Sequence, residues 1–256
     1  MSQKIIPVIL TMLIFSCNRV DEPVIHIHYL GHSSFAIDFD GKISVLTDYG
    51  KPNAYFEYGW DSPISSVGHF IPTIVTYSHS HDDHFDSTRI PEGVRYILKN
   101  SDSLSIGDLS ITPIVTKERE SITNTSFLFD YKEIKILHLG DCQENIIKID
   151  SVETRNYLEA NIPSGCDVVL VPIEGVSKFI PQVEKFIDLI RPSVVIPMHY
   201  WSGEYKSEFL NYMKGKAAYE KKKYTVLILG GAEYNYVKSE RSDSTLILDI
   251  KRDSLR

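Results

Sequence analysis

Thr73-Ile74-Val75-Thr76-Tyr77-Ser78-His79-Ser80-His81-Asp82-Asp83-His84 places an apolar, β-branched run just before a hexapeptide, 79–84, that holds three histidines and two aspartates, all potential metal ligands. The run predicts a buried strand over 72–77, ending where the ligands begin. Imidazole and carboxylate bind zinc and similar divalent ions, and a loop at a strand end can fold several of them around one point. A histidine-rich tract can also be a solvated surface. Three of the nine histidines in one hexapeptide behind a buried strand favour a metal site.

The same pattern, a hydrophobic run followed by a ligand-type side chain, recurs along the chain. Val45-Leu46-Thr47 leads to Asp48, Ile134 to Leu139 leads through Gly140 to Asp141, and Val194 to Met198 leads to His199. Strands are also expected at 24–30, 35–39, 43–47, 94–98, 110–115, 125–131, 167–172, 225–229, 234–238 and 244–250. Asp40-Gly41 predicts a tight hairpin turn. Phe179, Ile180, Val183, Phe186, Ile187 and Ile190 recur at helical spacing up to Pro192, with further helices over 204–220 and 151–160. Strands first, then strand–helix–strand units, predict an α+β chain of two sheets flanked by helices.

Composition narrows the function classes. The 256 residues are 43% hydrophobic and 24% charged, which is ordinary for a globular domain with a sizeable core. A net charge of −7 argues against a nucleic-acid partner. Lys4, the apolar run from Ile5 to Phe15 and Ser16-Cys17 predict a signal segment over 1–16. Ile14-Phe15-Ser16-Cys17 resembles a bacterial lipoprotein box, which implies cleavage before Cys17, lipidation of its thiol and anchoring to the bacterial cell envelope. Residues 17–23 then form a tether, and 24–256 the folded domain. Cys142 and Cys166 are the remaining cysteines; a disulfide between them is permitted in an oxidising compartment but not deducible.

Taken together, His79-x-His81-x-Asp83-His84, Gly140-Asp141 and Pro197-Met198-His199 resemble the metallo-β-lactamase superfamily. Gly31-His32-Ser33-Ser34-Phe35, Leu137 to Asp141 and Ile196 to Tyr200 resemble its branch of ascorbate-6-phosphate lactonase-like and N-acylphosphatidylethanolamine-phospholipase-D-like hydrolases. The resemblance spans about residues 24–238 and implies a four-layer αββα sandwich with metals at one edge between the sheets. It implies zinc, one or two ions, with manganese or iron as alternatives. By motif position, His79 and His81 hold the first ion, Asp83 and His84 the second, Asp141 bridges, and His199 completes the second site.

Asp48 resembles the family's acid that orients ligands from outside the coordination sphere. The implied chemistry is hydrolysis of an ester, lactone, amide or phosphodiester by a metal-bound hydroxide, with Asp83 and Asp141 as catalytic residues and a small-molecule or lipid-like substrate. A noncatalytic surface lipoprotein holding one metal is the alternative.

One ligand departs from the pattern. The family supplies a further His between the hexapeptide and Gly-Asp, and no His lies between His84 and His138. The corresponding loop reads as Val115 to Glu120, where Glu118 or Glu120 offers an oxygen ligand. His138 is expected to orient or pack rather than ligate. His26 and His28 share one strand face and read as structural, His32 reads as a hydrogen-bonded turn residue with a rim role open, and His69 has no assigned role. Tyr49, Tyr55, Phe56, Tyr58, Trp60, Tyr200 and Trp201 suit either a substrate mouth or packing. The sequence leaves the oligomeric state open.

Overall fold

The computed structural model describes residues 22–59, 63–173, 178–238 and 244–253. The signal segment, Cys17, most of the tether and Trp60 lie outside the described residues. In the first sheet, β1 (Val24–Gly31), β2 (Ser34–Phe39) and β3 (Ile43–Thr47) run antiparallel, and β4 (Ile74–Tyr77) and β5 (Tyr96–Lys99) continue parallel to β3. The Asp40-Gly41 turn joins β2 to β3 with both residues at positive φ (62° and 66°), and the Lys42 amide donates to the Phe39 carbonyl at 3.0 Å. That is the twist-matched two-residue hairpin turn expected of Asp-Gly.

The second sheet starts as an antiparallel meander of β6 (Leu104–Ile106), β7 (Leu109–Arg119), β8 (Ile122–Tyr131) and β9 (Ile134–His138). After helices α1 (Gln143–Ile147) and α2 (Val152–Asn161), β10 (Val168–Pro172) joins parallel to β9. Helix α3 (Ile180–Ile190), β11 (Val194–Met198), α4 (Gly203–Tyr219) and β12 (Tyr224–Ile228) follow. β13 (Glu233–Val237) crosses to pair with β1, and β14 (Thr245–Asp249) inserts between β11 and β12.

Period-two alternation sorts the first sheet into two faces. Ile25, Ile27, Tyr29, Phe35, Ile37, Phe39 and Val45 share the main core with Phe127, Phe129, Tyr131 and Ile136 of the second sheet. The opposite parity, Leu30, Ala36, Leu46, Val75 and Tyr77, packs under Ile64, Val67, Phe70 and Phe85 from the connecting segments. At about 1.5–3 kcal/mol per large apolar side chain, the inner face holds the sheets together.

The α+β two-sheet sandwich of the expected fold is present. Helix α1 packs on β7, α4 on β12, and α3 on both α1 and α4, so helices back the second sheet. Among the described residues, the outer face of the first sheet is covered by loops and short 3-10 turns instead. Helix α3 buries its predicted stripe and ends at Arg191 in the left-handed region (φ 52°), just before Pro192.

Two elements escape the sequence reading because they are too short to show a period: three-residue β6 and five-residue α1. A third difference matters more for the site. Val115 to Arg119, read as loop, continue β7 as a strand. Cys142 and Cys166 are both buried and unbonded to each other.

The ligand-type residues all lie past strand ends at one edge of the sandwich: His32 after β1, Asp48 after β3, the hexapeptide after β4, Asp141 after β9 and His199 after β11. Gly50 fixes how closely the 79–84 loop approaches β3. A Cβ there would lie 2.2 Å from the Asp83 carbonyl carbon and 2.5 Å from the Asp82 oxygen. The Lys51 amide donates to that Asp82 oxygen at 2.7 Å, and the Arg89 guanidinium donates to the Gly50 carbonyl while stacking on Tyr49. Gly50→Ala is therefore expected to lower unfolding stability by about 1–3 kcal/mol, measured from denaturant midpoints. An unchanged midpoint would show that the loop has more room than this packing implies.

Candidate metal centre

Asp48 organises the loop from beneath. Its Oδ1 accepts the Ser78 amide at 2.7 Å, and its Oδ2 accepts the Ser78 hydroxyl and meets His84 Nδ1, both at 2.7 Å. All three residues are buried. The contact at Nδ1 leaves His84 Nε2 directed at Asp83 Oδ2 (3.4 Å) and His199 Nε2 (3.0 Å). His199 Nε2 also lies 3.7 Å from Asp83 Oδ2 and 3.8 Å from Asp141 Oδ2.

Three overlapping groups of donor atoms result, each within 4.8 Å: His79, His81 and Glu118; His79, His84 and Asp141; and His32, Asp83, His84 and His199. The six residues assigned as ligands by motif position are thus gathered at one point in the fold.

Glu118 and Glu120 separate clearly. In the β7–β8 pairing, Lys117 faces Thr123 and Arg119 faces Ile122, so Glu118 is the extra residue of a β-bulge. Bulges re-aim side chains beside functional sites, and this one turns the Glu118 carboxylate inward. Its Oε2 stands 3.4 Å from His79 Nε2 and 3.2 Å from His81 Nδ1. Glu120 is corrected: it lies beyond the strand end, is exposed, and lines a different surface cavity with Glu144 and Lys148.

His32 also differs from its reading as a simple turn residue. It is buried, its Nε2 lies 2.9 Å from Asp83 Oδ2, and its ring packs 4.1 Å from that of His199. Its carbonyl accepts the His199 amide and the Tyr29 hydroxyl. His32 is held at positive φ (50°) beside a strand end, a conformation frequent at functional positions and one that the fold, not the Gly31-His32 pair, reveals. His138 is buried in β9 and its Nε2–H donates to the Ser33 carbonyl at 2.8 Å, bracing the same turn.

Asn124 was not singled out from sequence. It donates to Thr116 Oγ1 and the Leu139 carbonyl, and accepts the Asp141 amide at 2.9 Å. Gly140 lets that turn pass, because a Cβ there would lie 2.4 Å from Ser78 Cβ. His26 and His28 sit beside β13, bonded to Asn235 and the Asp253 carbonyl, and His69 lies on a separate surface.

The carboxylates give the centre excess negative charge, which a proton on His84 or a divalent ion in its place offsets. Burial lowers the His79 pKa to about 2, helped by the neighbouring His84 charge, so His79 stays a neutral donor. Burial also disfavours charge on His84, yet Asp83 and Asp48 outweigh it and lift its pKa to about 10. Asp48 stands at about 2 because His84 and His138 overcome its own burial. Asp83 is likewise held well below the carboxylate range, its burial outweighed by His84, His199 and His32. Burial and the Asp141 charge push Glu118 upward.

The centre opens into a cavity of about 520 Å³ whose wall includes Tyr55, Tyr58 and Trp201. Tyr49 instead packs under the first sheet, Phe56 is exposed, and Tyr200 joins the main core.

The sequence profile described as "Beta-lactamase superfamily domain" matches residues 26–199. The chain belongs to the beta-lactamase superfamily. Solved superfamily-type structures share the fold. One is a provisionally named Zn-dependent hydrolase of the metallo-β-lactamase superfamily from Thermotoga maritima, with 21% identity, TM-score 0.57, and 89% of this chain and 100% of that chain covered. Another, Igni18, a metallo hydrolase from the archaeon Ignicoccus hospitalis KIN4/I, has 17% identity, TM-score 0.55, and 84% and 100% coverage. A provisionally named metal-dependent hydrolase from Parabacteroides distasonis ATCC 8503 has 17% identity, TM-score 0.53, and 73% and 88% coverage. No curated protein matches the sequence.

The superfamily implies metal, and the residues present fit one. Among the described residues, buried His79 Nε2, Asp83 Oδ1 and Glu118 Oε2 have no hydrogen-bond partner. Each such atom costs about 1–3 kcal/mol unless something else satisfies it. Nitrogen and oxygen donors converging on one point are the chemistry a divalent ion satisfies. Glu118→Gln is expected to reduce the metal content of protein purified without chelator, whereas Glu120→Gln leaves it unchanged. Equal metal content in the two variants, read by elemental analysis, would remove Glu118 from the donor set.

Proposed function

We propose that this superfamily member is a metal-dependent hydrolase, and the convergence of the His/Asp/Glu set on the floor of one open cavity carries that reading. His79, His81 and Glu118 would hold a first ion, and Asp83, His84 and His199 a second, with Asp141 shared between them. Zinc suits the imidazole-rich set, and the carboxylate oxygens also admit manganese or iron. A bound divalent ion supplies Lewis-acid polarisation of the scissile group and activates water near neutral pH.

The chain's own residues do the rest. Asp48 fixes the orientation of His84 through Nδ1, and Asn124 fixes the turn that presents Asp141. Asp83, held ionised, lines the cavity and can accept a proton there. The bond cleaved is an ester, lactone, amide or phosphodiester. The Gly31–Phe35, Leu137–Asp141 and Ile196–Tyr200 segments support the lactonase-like and phospholipase-D-like branch within that range.

The decisive experiment pairs elemental analysis with a panel of ester, lactone, amide and phosphodiester substrates. About one or two ions per chain are expected, with activity abolished by chelator, restored by metal and lost in His84→Ala. Wild-type protein that binds no ion in metal-replete medium would sink the proposal.

We further propose that the chain is exported and anchored in the bacterial envelope through lipidated Cys17. Labelled-lipid incorporation is expected in the wild type and absent in Cys17→Ser. Equal incorporation in both, or none in either, would refute the anchor.

A further inference from the structure

The cavity above the candidate centre has a wall that the ligand set does not use: Tyr55, Tyr58, Arg119, Ile122, Gln143 and Trp201. Four of these six side chains are flat or branched and apolar, one is a neutral amide, and Arg119 alone is charged. Tyr55 is held for this position. It lies in the left-handed region (φ 61°), unfavourable for a bulky residue. Strain of this kind persists where surrounding structure over-determines it, and it collects at ligand clamps. Tyr58 lies 6.2 Å from the Tyr55 ring, and Trp201 stands on the wall beside His199.

Arg119 is placed by the same bulge that turns Glu118 inward. Its Nε donates to Glu118 Oε1 at 2.9 Å, while 68% of the side chain remains exposed. A guanidinium has five donors in a fixed fork, and this contact engages one of them. The ion pair therefore works as a hinge pin. It ties Arg119 to the donor set through Nε, Arg119 also lines the cavity, and among the described residues no other contact engages the guanidinium.

Resting on the hydrolase reading above, we infer that the substrate couples a flat apolar group, seated among Tyr55, Tyr58 and Trp201, to an oxyanion held by Arg119. The oxyanion is a carboxylate or a phosphate-type group, since both match the guanidinium fork. The scissile bond then lies between the aromatic wall and the donor set. Neutral esters lack the Arg119 contact, and small anions lack the aromatic one.

Four probes separate these contributions, titrated by calorimetry into full-length protein as purified: 2-naphthoate, naphthalene-2-phosphonate, neutral 2-naphthylmethanol and acetate. At least one naphthyl anion is expected to bind about tenfold or more tightly than both the neutral alcohol and acetate. Arg119→Gln should weaken that anion about fivefold or more and leave the alcohol unchanged, with Arg119→Lys intermediate. Trp201→Ala should weaken both naphthyl classes. Whichever anion shows the Arg119 dependence identifies carboxylate or phosphate as the recognised group.

Metal content is measured on every preparation and affinities are compared at equal metal occupancy, so an anion bound only by metal shows itself there as affinity indifferent to Arg119→Gln. That indifference overturns the inference, as do equal affinities for the alcohol and the anions or no measurable naphthyl binding. None of these results touches the hydrolase reading, which stands or falls on metal dependence and His84→Ala.

Discussion

The carboxylate of Asp48 ties together the parts on which the site depends. It sits past the end of β3, yet binds the amide and hydroxyl of Ser78 past β4 and the imidazole of His84 six residues later. One buried side chain thereby sets the distance between two neighbouring strand ends and the direction of a central histidine. Burial penalises both charges; Asp83 together with Asp48 lifts His84 to about 10, and His84 with His138 holds Asp48 at about 2. A pair of this kind is intolerant of losing one partner, because the survivor is left charged and dry.

Around that pair, the sandwich supplies rigidity and its edge supplies chemistry. His32, Asp48 and His199 each have left-handed backbones at strand ends (φ 50°, 39° and 51°), a conformation that costs free energy for non-glycine residues. The cost is met by the cores on either side: β1, β3 and β11 are buried along most of their length. A left-handed residue turns the chain abruptly, so the side chain following a strand points across the edge rather than onward. Three such turns, with Gly140 as a fourth, converge side chains from both sheets.

The bulge in β7 links the donor set to the cavity wall. By inserting one residue opposite Thr123 and Ile122, it turns Glu118 toward His79 and His81 and leaves Arg119 outward but tied to the Glu118 carboxylate. A change at either residue is therefore felt at the other. The proposed recognition and ligation share this irregular pair.

Much of this was legible in the residues. Apolar runs of period two marked nearly every strand, because a strand buried on one or both faces must write its burial into its composition, and Asp40-Gly41 marked its turn because few residues accept positive φ. His79, His81, Asp83, His84, Asp141 and His199 were legible because each follows such a run. Glu118 was legible only as one of two candidates with Glu120, His32 only as a turn residue with a rim role open, and Asn124 not at all. The choice between Glu118 and Glu120 hangs on a pairing slip with a partner strand, and the part played by His32 on a loop 51 residues distant. Asn124 matters only because Leu139 and Asp141 lie against it. Local pattern records what a residue's own strand buries. Which strangers in the sequence its polar atoms meet is set by strand register and by the edge where two sheets close.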